Sequence, residues 1–466
     1  MKTRLTSCRV ALIALAAVFI NLALAGCGST APAETAIVGT SGPTSFEATA
    51  TSRAATSIAA PPTATQPAPP TLTAVPTDTA EPPPPDSTPT PEGGVVPTPE
   101  VALDIDLEAQ PAPFDDVPHP GYAASTCSDK YPCNDDFDGW VERMRVPEGF
   151  AVDVYGRING QPNVLTFGPD GLLYIGTMSG EIFTMDADGR TELYVDGFIA
   201  PAGLAFQPGT DRLYVSSRVV DQNEGGEAQV AVVEEGEVRP LITGLPCCYV
   251  AMHSANGIDF GPDGYGYVAV GARADHGEIL SGPQMGEQDV LHPLEASILR
   301  FSPDGTVVEP YARGFRNAYD IAWDGDGQLY ATDNMPDFGP PEEFNKVVAG
   351  GEHGYPWYDC EVCFAAPEGV EIVPPIYEFV AHSAPTGVTA YLDDAFPGFY
   401  NSLFVTLWSA FEGAQKVVWF APGGEGEVSD FATGFAAPID LTVGPDGALY
   451  VADWATGLIF RIWYEG

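Results

Sequence analysis

The side chains best suited to chemistry in this chain occupy one recurring position of a repeated sequence pattern. Each repeat contains a short turn, and the position lies seven residues before the residue that opens the turn. The six equivalent residues are Gly160, Ile199, His253, Arg316, Ser383 and Ala436. The polar members come from three consecutive repeats. A histidine at such a position can act as a general base, taking a hydroxyl proton while hydride leaves the carbon. The sequence therefore predicts redox chemistry on a hydroxyl group.

A second polar set follows the strand that comes after each turn. It consists of Met178, Arg218, Arg273, Asn334-Met335-Pro336, Trp408-Ser409 and Asp453-Trp454, with Asn317 and His382 beside the first set. No side chain accepts hydride, so the reaction needs an organic cofactor, and the sequence lacks the Rossmann glycine fingerprint that nicotinamide would favour. A quinone with several carboxylates would need arginine partners and a calcium ion held by carbonyl and amide oxygens.

Both polar sets are positioned by six copies of a strand–turn–strand unit. The copies span Leu165–Ile175, Leu204–Val215, Ile258–Val270, Ile321–Thr332, Val388–Thr406 and Leu441–Ala452. In turns such as Gly168-Pro169-Asp170-Gly171, proline fixes φ, and aspartate and glycine tolerate the positive φ of a reversal. Six copies with almost no helical periodicity predict an all-β, six-bladed β-propeller whose polar sets lie at the rim opposite to the turns. Val146–Tyr155 is expected to pair with Ile459–Trp463 and close the ring.

The amino-terminal part of the chain predicts export and anchoring. Basic residues at positions 2, 4 and 9 precede an apolar run, Val10–Leu24, of signal-peptide length. The run ends at Leu24-Ala25-Gly26-Cys27, which resembles the lipobox of secreted lipoproteins and implies that Cys27 is lipidated. A plain signal peptide is the alternative. We therefore expect an extracytoplasmic protein that is attached to the membrane or cell surface through its lipid alone.

Composition divides the chain into four predicted segments. Residues 1–26 form the signal peptide, 27–112 a disordered tether, 113–140 a cysteine-containing extension and 141–466 the propeller. The tether is rich in threonine, proline and alanine and holds too little apolar surface to offset the entropy cost of ordering it. Even as a flexible coil it would span on the order of 50 Å, so it would hold the propeller away from the membrane.

Charge and cysteine content narrow the class of protein. The 64 acidic and 19 basic residues give a formal net charge of −45, which argues against nucleic-acid binding because such binding needs a basic surface. Six cysteines follow Cys27, and an even number in an oxidising compartment predicts disulfides. Short spacings favour the pairs Cys127–Cys133 and Cys360–Cys363, which leaves Cys247–Cys248. A cross-pairing and a zinc site at Cys360 and Cys363 are the alternatives.

Two stretches of the repeat region resemble a known family. Met252–Gly271 reads MHSANGIDFGPDGYGYVAVG, and Tyr311–Trp357 contains RGFRNAYDIAWDGDG and TDNMP. These motifs resemble the glucose/sorbosone dehydrogenase family, propellers that use pyrroloquinoline quinone (PQQ) with Ca²⁺. Ala381–Tyr391 (AHSAPTGVTAY) looks more like the sorbosone and pyranose branch. The resemblance covers roughly Val146–Trp463 and implies the same fold as the repeats do.

The resemblance also implies roles for the matching residues. His253 takes the position of the catalytic base, and Arg316 and Asn317 match a pair that contacts the cofactor. The turn that matches the calcium-binding carbonyls is Asn334, Met335 and Pro336. Further candidate cofactor contacts on the rim are His382, Arg218, Arg273 and Trp408. Two cations that the family usually has are absent, because this chain has Ala436-Ala437 and Trp408-Ser409-Ala410 at those places.

These observations predict a PQQ- and calcium-dependent dehydrogenase that oxidises a sugar or polyol outside the membrane. The sequence does not identify its electron acceptor. One alternative is a cofactor-free propeller that binds a glycan or protein at the cell surface, with His253 and the Arg316-Asn317 pair in structural roles. Another is a calcium-dependent, lactonase-like hydrolase, which would need a central ring of Asp, Glu and Asn around its metal.

Overall fold

The computed structural model describes residues 128, 131–219, 227–247, 253–336, 339–358, 363–409, 411, 413–424, 426 and 428–466. The predicted signal peptide, Cys27 and the tether lie outside these residues. Cys127, Cys248 and Cys360 also lie outside them, so the disulfide pairing stays a prediction. Within the described part of the chain, no helix is long and apolar enough to cross a membrane.

The strands form six four-stranded antiparallel sheets, each one blade of a propeller. Blade one contains β2 (Pro162–Phe167), β3 (Leu173–Thr177), β4 (Ile182–Met185) and β5 (Thr191–Val195). Blade two contains β6 (Ile199–Phe206), β7 (Leu213–Arg218), β8 (Glu227–Glu234) and β9 (Glu237–Pro246). Blade three contains β10 (Ala255–Phe260), β11 (Gly266–Val270), β12 (Ser297–Phe301) and β13 (Val308–Arg313).

The remaining three blades have the same order of strands from the centre outwards. Blade four contains β14 (Ala318–Trp323), β15 (Leu329–Asp333), β16 (Glu342–Lys346) and β17 (Tyr377–Phe379). Blade five contains β18 (Pro385–Tyr391), β19 (Ser402–Leu407), β20 (Lys416–Phe420) and β21 (Ser429–Thr433). Blade six contains β22 (Pro438–Val443), β23 (Leu449–Asp453), β24 (Leu458–Tyr464) and β1 (Phe150–Arg157).

The ring is closed by strands from the two ends of the described propeller. β1 pairs antiparallel with β24, with Ala151 opposite Trp463 and Val154 opposite Phe460. The predicted closing pair is therefore confirmed, although its strand begins at Phe150 and not at Val146. The inner strands β2, β6, β10, β14, β18 and β22 each pack against the next one around the ring. The predicted six-bladed, all-β propeller is confirmed.

The turn motif of the sequence has a clear structural cause. In blade one the Asp170 carboxylate accepts hydrogen bonds from the Leu172 N–H (3.1 Å) and the Tyr174 hydroxyl (3.0 Å). Gly171 has a φ of 80°, a left-handed conformation that favours glycine. The same aspartate-to-tyrosine bond recurs in blades three and six, at 3.0 and 3.1 Å. The bond explains why a tyrosine follows the Asp-Gly turn at the same distance in these three blades.

The hydrophobic core lies between neighbouring blades. Between blades two and three, for example, Tyr214 and Phe260 meet edge to face with ring centroids 4.9 Å apart, and Phe301 joins the same buried cluster. Edge-to-face contacts of this kind are favourable for aromatic pairs. Because each blade buries one face against the next, the inner strand of each blade is held rigidly beside the central axis.

A short amino-terminal element packs against blade six. Helix α1 (Phe137–Arg143) is capped by Asp136, whose side chain accepts from the Gly139 N–H at 3.1 Å. Trp140 is fully buried, and its indole N–H donates to the Cys133 carbonyl at 3.0 Å. The buried Trp140 packs this part of the extension on the propeller. Helix α1 therefore runs across the predicted boundary at residue 140.

Candidate functional site

The six equivalent positions of the sequence pattern lie at the start of the inner strands. Five of them lie two residues before the first residue of their strand, namely Gly160, His253, Arg316, Ser383 and Ala436. The sixth, Ile199, begins β6. In all six blades the pairing of the inner two strands shifts register just after this point. Such bulges bend the strand and change the direction of nearby side chains, so this rim departs from regular sheet geometry in every blade.

The structure brings the histidine and the Arg-Asn pair together. The Ala272 N–H, just after β11, donates to the Arg316 carbonyl at 2.7 Å, and the Gly271 N–H donates to the Ser254 carbonyl at 2.8 Å. The Asn256 side chain donates to the Asn317 amide oxygen at 2.8 Å. The first and third of these bonds join the rims of blades three and four, and the second holds the rim of blade three together. His253 and Arg316 are therefore neighbours.

His253 is held in a single ionisation state and tautomer. It is buried, and its Nδ1 lies 3.2 Å from the Ala272 carbonyl oxygen. A carbonyl oxygen can only accept, so Nδ1 carries the proton and Nε2 of the neutral ring carries the lone pair. Burial, together with the positive charge of Arg316, lowers the pKa of His253 well below 6.5, and the bond to Ala272 opposes this only in part. The ring is therefore neutral near pH 7, as a general base must be.

Arg316 is paired with a carboxylate that the sequence analysis did not single out. Its Nε lies 2.9 Å from Asp275 Oδ1, and its Nη2 contacts the same oxygen. Its Nη1 donates to the Asn334 carbonyl at 2.9 Å. Both members of the pair are buried. The second oxygen of Asp275 lies 3.2 Å from Nδ1 of His276. The guanidinium is therefore used within the protein and does not stand as a lone cation.

The other two arginines of the predicted site occupy different surroundings. Arg273 donates from Nε to the buried Glu295 carboxylate at 2.5 Å and lies 3.6 Å from Asp289. Arg218 ends β7 in blade two and is buried. Arg273 thus also has acidic partners, but its side chain is more exposed than that of Arg316 and contacts each partner through a different nitrogen.

The turn predicted to bind calcium follows β15 and adjoins Arg316. Its Asn334 carbonyl accepts from Arg316, and its Pro336 carbonyl accepts from the Gly339 N–H at 2.9 Å. The Met335 N–H donates to the buried Glu342 carboxylate at 2.7 Å. Nowhere in the described ranges do three or more His, Cys, Asp or Glu side chains form a group that could hold a metal. A calcium ion at this turn would therefore bind through backbone carbonyls, each of which has a second lone pair.

The rim of blade five is connected to the same turn. Glu342 accepts from the His382 N–H at 2.8 Å as well as from Met335, so one carboxylate joins the two segments. His382 adopts a φ of 65° and its ring lies 5.3 Å from that of Phe411. Trp408 meets Trp454 of blade six edge to face at 5.5 Å. This side of the rim is aromatic.

Blade six has the same backbone arrangement as blade four but lacks its side chains. In blade four the Asp333 carboxylate accepts from the N–H groups of Arg316 (3.0 Å) and Asn317 (2.7 Å). In blade six Asp453 accepts from those of Ala436 (2.7 Å) and Ala437 (2.9 Å). Both alanines are buried. Blade six thus has two methyl groups at the place where the family resemblance implies a cation.

Below the rim, one hydrogen bond crosses the axis of the ring, and acidic residues line the central channel. The Tyr319 hydroxyl of blade four donates to the Asn163 side chain of blade one at 2.8 Å, across the axis. Asp259, Asp320 and Asp440 line the channel beyond it. Burial raises the pKa of all three carboxyls, that of Asp259 to about 6, and Asp320 is raised further by the charge of Asp440. Tyr319 therefore separates the rim site from an acidic channel.

Comparison with known proteins fits this geometry. The family model for glucose/sorbosone dehydrogenase matches residues 160–461, which is most of the chain. The chain belongs to the glucose/sorbosone dehydrogenase family. The resemblance to this family, which was inferred from the motifs around His253 and Arg316, is therefore confirmed.

Relatives of this dehydrogenase-family propeller are distant in sequence. An uncharacterized protein of Borreliella burgdorferi is 23% identical over 358 residues, covering 69% of this chain and 91% of that protein. The PQQ-bound aldose sugar dehydrogenase of Streptomyces coelicolor has a TM-score of 0.51 and 18% identity, covering 68% of this chain and 99% of that one. The apo-form of the soluble aldose sugar dehydrogenase of Escherichia coli has a TM-score of 0.53 and 18% identity, with coverages of 68% and 99%. At these identities the likeness shows the fold.

Sequence reasoning missed Asp275, Glu342 and Asp333, which hold the candidate residues in position. Asp333 ends β15, Glu342 begins β16, and Asp275 lies in the loop after β11. Their residue type was not a distinctive signal among 64 acidic residues. What selects them is the contact each makes with a distant segment of the chain.

Proposed function

We propose that this protein oxidises a sugar or polyol with PQQ and Ca²⁺, and that His253 is the general base. Family membership supports a sugar dehydrogenase-like propeller. The role of His253 as general base depends on one observation. Its imidazole is buried and neutral, and its Nδ1 is hydrogen-bonded to the Ala272 carbonyl. Nε2 is therefore the ring nitrogen that would accept the proton of a substrate hydroxyl.

The residues of the rim fit a quinone that arrives with a metal ion. The polar groups of Arg316 and Asn317 adjoin the base, and the carbonyls of Asn334–Pro336 are hard oxygen donors of the kind calcium prefers. When bound, PQQ with its calcium would supply the hydride acceptor. Further contacts proposed for it are His382, Arg218, Arg273 and Trp408.

The roles of the protein's own groups follow from their fixed positions. Ala272 orients the imidazole and keeps its proton on Nδ1. Arg316 disfavours a second proton on the ring through its charge. Tyr319 and Asn163 are hydrogen-bonded to each other across the axis beneath the site. The base thus stays neutral until it takes the substrate proton.

We also propose that the propeller works outside the cytoplasm on a lipid anchor at Cys27. The proposal depends on the sequence Leu24-Ala25-Gly26-Cys27 after an apolar run of signal-peptide length. Membrane fractionation of cells that produce the full chain or its Cys27→Ser variant tests it. An equal membrane share for both proteins would contradict the anchor.

Reconstitution tests the enzymatic proposal. The purified protein is incubated with PQQ and Ca²⁺, and dye reduction is measured over a panel of aldoses and polyols. We expect activity that His253→Gln lowers by about 100-fold or more, since a general base contributes on the order of 10²–10⁴-fold. His292→Gln, a change at an exposed histidine, is the matched control. No activity with any substrate, or equal activity in His253→Gln, would reject the proposal.

A cofactor-free binding propeller is the second candidate. It is favoured by the carboxylate partners of Arg316 and Arg273 and by the buried alanines of blade six. Together these leave less positive charge for an anionic cofactor than the family pattern implies. Saturable binding of a glycan by cofactor-free protein, unchanged by added PQQ, would support this candidate over the first.

A further inference from the structure

The Asp275 carboxylate lies on the edge of the Arg316 guanidinium that could otherwise bind an anion. Asp275 Oδ1 contacts both Nε (2.9 Å) and Nη2, and the Asp275 carbonyl lies 3.3 Å from Nε. The remaining Nη1 donates to the Asn334 carbonyl. Arginine binds carboxylates through this forked edge, so Asp275 occupies the place that the carboxylate of a ligand would take.

The pair is built into the rim and is not a chance surface contact. Asp275 is 5% exposed and Arg316 7% exposed. The segment that carries Asp275 is held at Ala272, whose N–H donates to the Arg316 carbonyl, and at Ala274, whose carbonyl accepts from the buried Tyr355 hydroxyl at 2.9 Å. Removing one member of a buried pair leaves the other without compensation, so the two are expected to remain together.

The neighbouring arginine also has acidic partners. Arg273 is held by Glu295, which is 2% exposed, with Asp289 3.6 Å away. Two arginines on one rim with internal carboxylate partners contribute little net positive charge there. A bare polyanion would therefore gain little on binding, whereas a neutral ligand, or an anion that brings its own cation, would not be penalised.

We propose that Asp275 is the specificity-determining residue that sets the charge selectivity of this rim, by acting as an internal counter-ion that competes with anionic ligands for Arg316. The proposal rests on the proposed function in that PQQ, a polycarboxylate, is the anion of interest. It concerns the binding of the anion and not the chemistry. It predicts that removing the charge of Asp275 strengthens the binding of anions in the absence of calcium.

The test compares Asp275→Asn with the wild type. Asparagine keeps an oxygen that can accept from Arg316 Nε but lacks the negative charge. PQQ binding is titrated by fluorescence in chelator-containing buffer, and oxalate, a simple dicarboxylate, is titrated by calorimetry. We expect Asp275→Asn to bind both about tenfold more tightly, the effect of one charge-assisted contact. Asp394→Asn changes net charge equally on an exposed side chain in the turn between β18 and β19, at the opposite rim, and should stay within about twofold of wild type.

Several outcomes would overturn the proposal. The first is equal or weaker anion binding by Asp275→Asn than by wild type. The second is an equal gain in Asp394→Asn. The third is a gain that survives the further change Arg316→Gln. If Asp275→Asn does not fold, as judged by its melting curve, the wild type decides the matter. Tight oxalate binding by wild-type protein that Arg316→Gln abolishes would show that Arg316 is open to anions despite Asp275.

Failure of the proposed function would look different. In that case neither protein binds PQQ even with calcium present. The oxalate comparison still tests Asp275, because oxalate needs only the guanidinium and no catalytic base.

Discussion

At the scale of single residues, His253 shows how burial and one hydrogen bond define a chemical role. Burial disfavours the charged imidazolium, and the Arg316 charge acts in the same direction. The Ala272 carbonyl then decides which nitrogen carries the proton. The outcome is a base whose accepting nitrogen is determined by its neighbours and not by pH in the physiological range.

The lowered pKa of His253 has a consequence for stability. Because the folded protein disfavours the proton that the unfolded chain accepts near pH 6.5, this residue's contribution to stability is lost as pH falls below 6.5. Between pH 7.5 and 5 the loss from this residue is at most about 2 kcal/mol, since one pKa unit corresponds to about 1.4 kcal/mol. Urea unfolding of the wild type and of a variant without this imidazole, at both pH values, measures it.

His253→Gln should remove this part of the pH dependence. Glutamine can still donate to the Ala272 carbonyl but does not titrate. On going from pH 7.5 to 5, the unfolding free energy of the variant should therefore fall less, or rise more, than that of the wild type. An identical change in both proteins would show that His253 is readily protonated in the folded state.

At the scale of elements, the amino-terminal helix is part of the propeller's stable structure. Trp140 is 0% exposed, stacks on Tyr131 with ring centroids 5.9 Å apart and meets Phe460 of β24 at 6.4 Å. Arg143 Nε donates to the Gly434 carbonyl at 2.8 Å, between blades five and six. The helix therefore supports the region where the ring closes.

Truncating Trp140 should destabilise the whole domain. We expect Trp140→Ala to lower the free energy of unfolding by about 3–5 kcal/mol, because it removes a large buried side chain and leaves a cavity. Phe137→Ala, on the same helix but 40% exposed, should change it by about 0.5 kcal/mol or less. Chemical denaturation of the three proteins checks this. A small effect of Trp140→Ala would mean that α1 docks only loosely on blade six.

At the scale of the whole molecule, the ring is joined across blades by buried carboxylates. Asp320 of blade four accepts from the Val388 N–H of blade five at 2.9 Å, and Asp440 of blade six accepts from the Leu165 N–H of blade one at 2.6 Å. Burial raises the pKa of both groups. Each carboxylate therefore gives the blades a hydrogen-bond acceptor but adds an electrostatic penalty once it is charged.

This arrangement predicts that the contribution of these two carboxyls to stability falls as pH rises. A carboxyl whose pKa is raised on folding contributes stability at low pH, and that contribution is lost as pH rises through the folded-state pKa. Asp440→Asn keeps an acceptor for Leu165 and carries no charge. We expect it to be more stable than wild type by about 1–3 kcal/mol at pH 8 and to show less advantage at pH 5. Asp394→Asn, at an exposed position, is the control. A constant difference across pH, measured by thermal unfolding, would contradict the prediction.

The sequence by itself determined the number of blades, the turns and the pairing that closes the ring. It did so because these depend on local chemistry that repeats, a Gly-Pro-Asp-Gly turn followed by Leu-Tyr. The same period located His253 and Arg316 at one rim, since equivalent positions in a propeller must share a rim. The predicted tether and lipid anchor stay predictions from composition and motif.

Only the tertiary structure decided what these residues contact. Asp275 on Arg316, Glu342 between Met335 and His382, and Tyr319 on Asn163 all join segments whose paths no local pattern specifies. Acidic residues are so common in this chain that their type alone carried no signal. The sequence could therefore find the base and the arginine, but the charge balance of the site depends on which acids the folded rim brings within hydrogen-bonding distance.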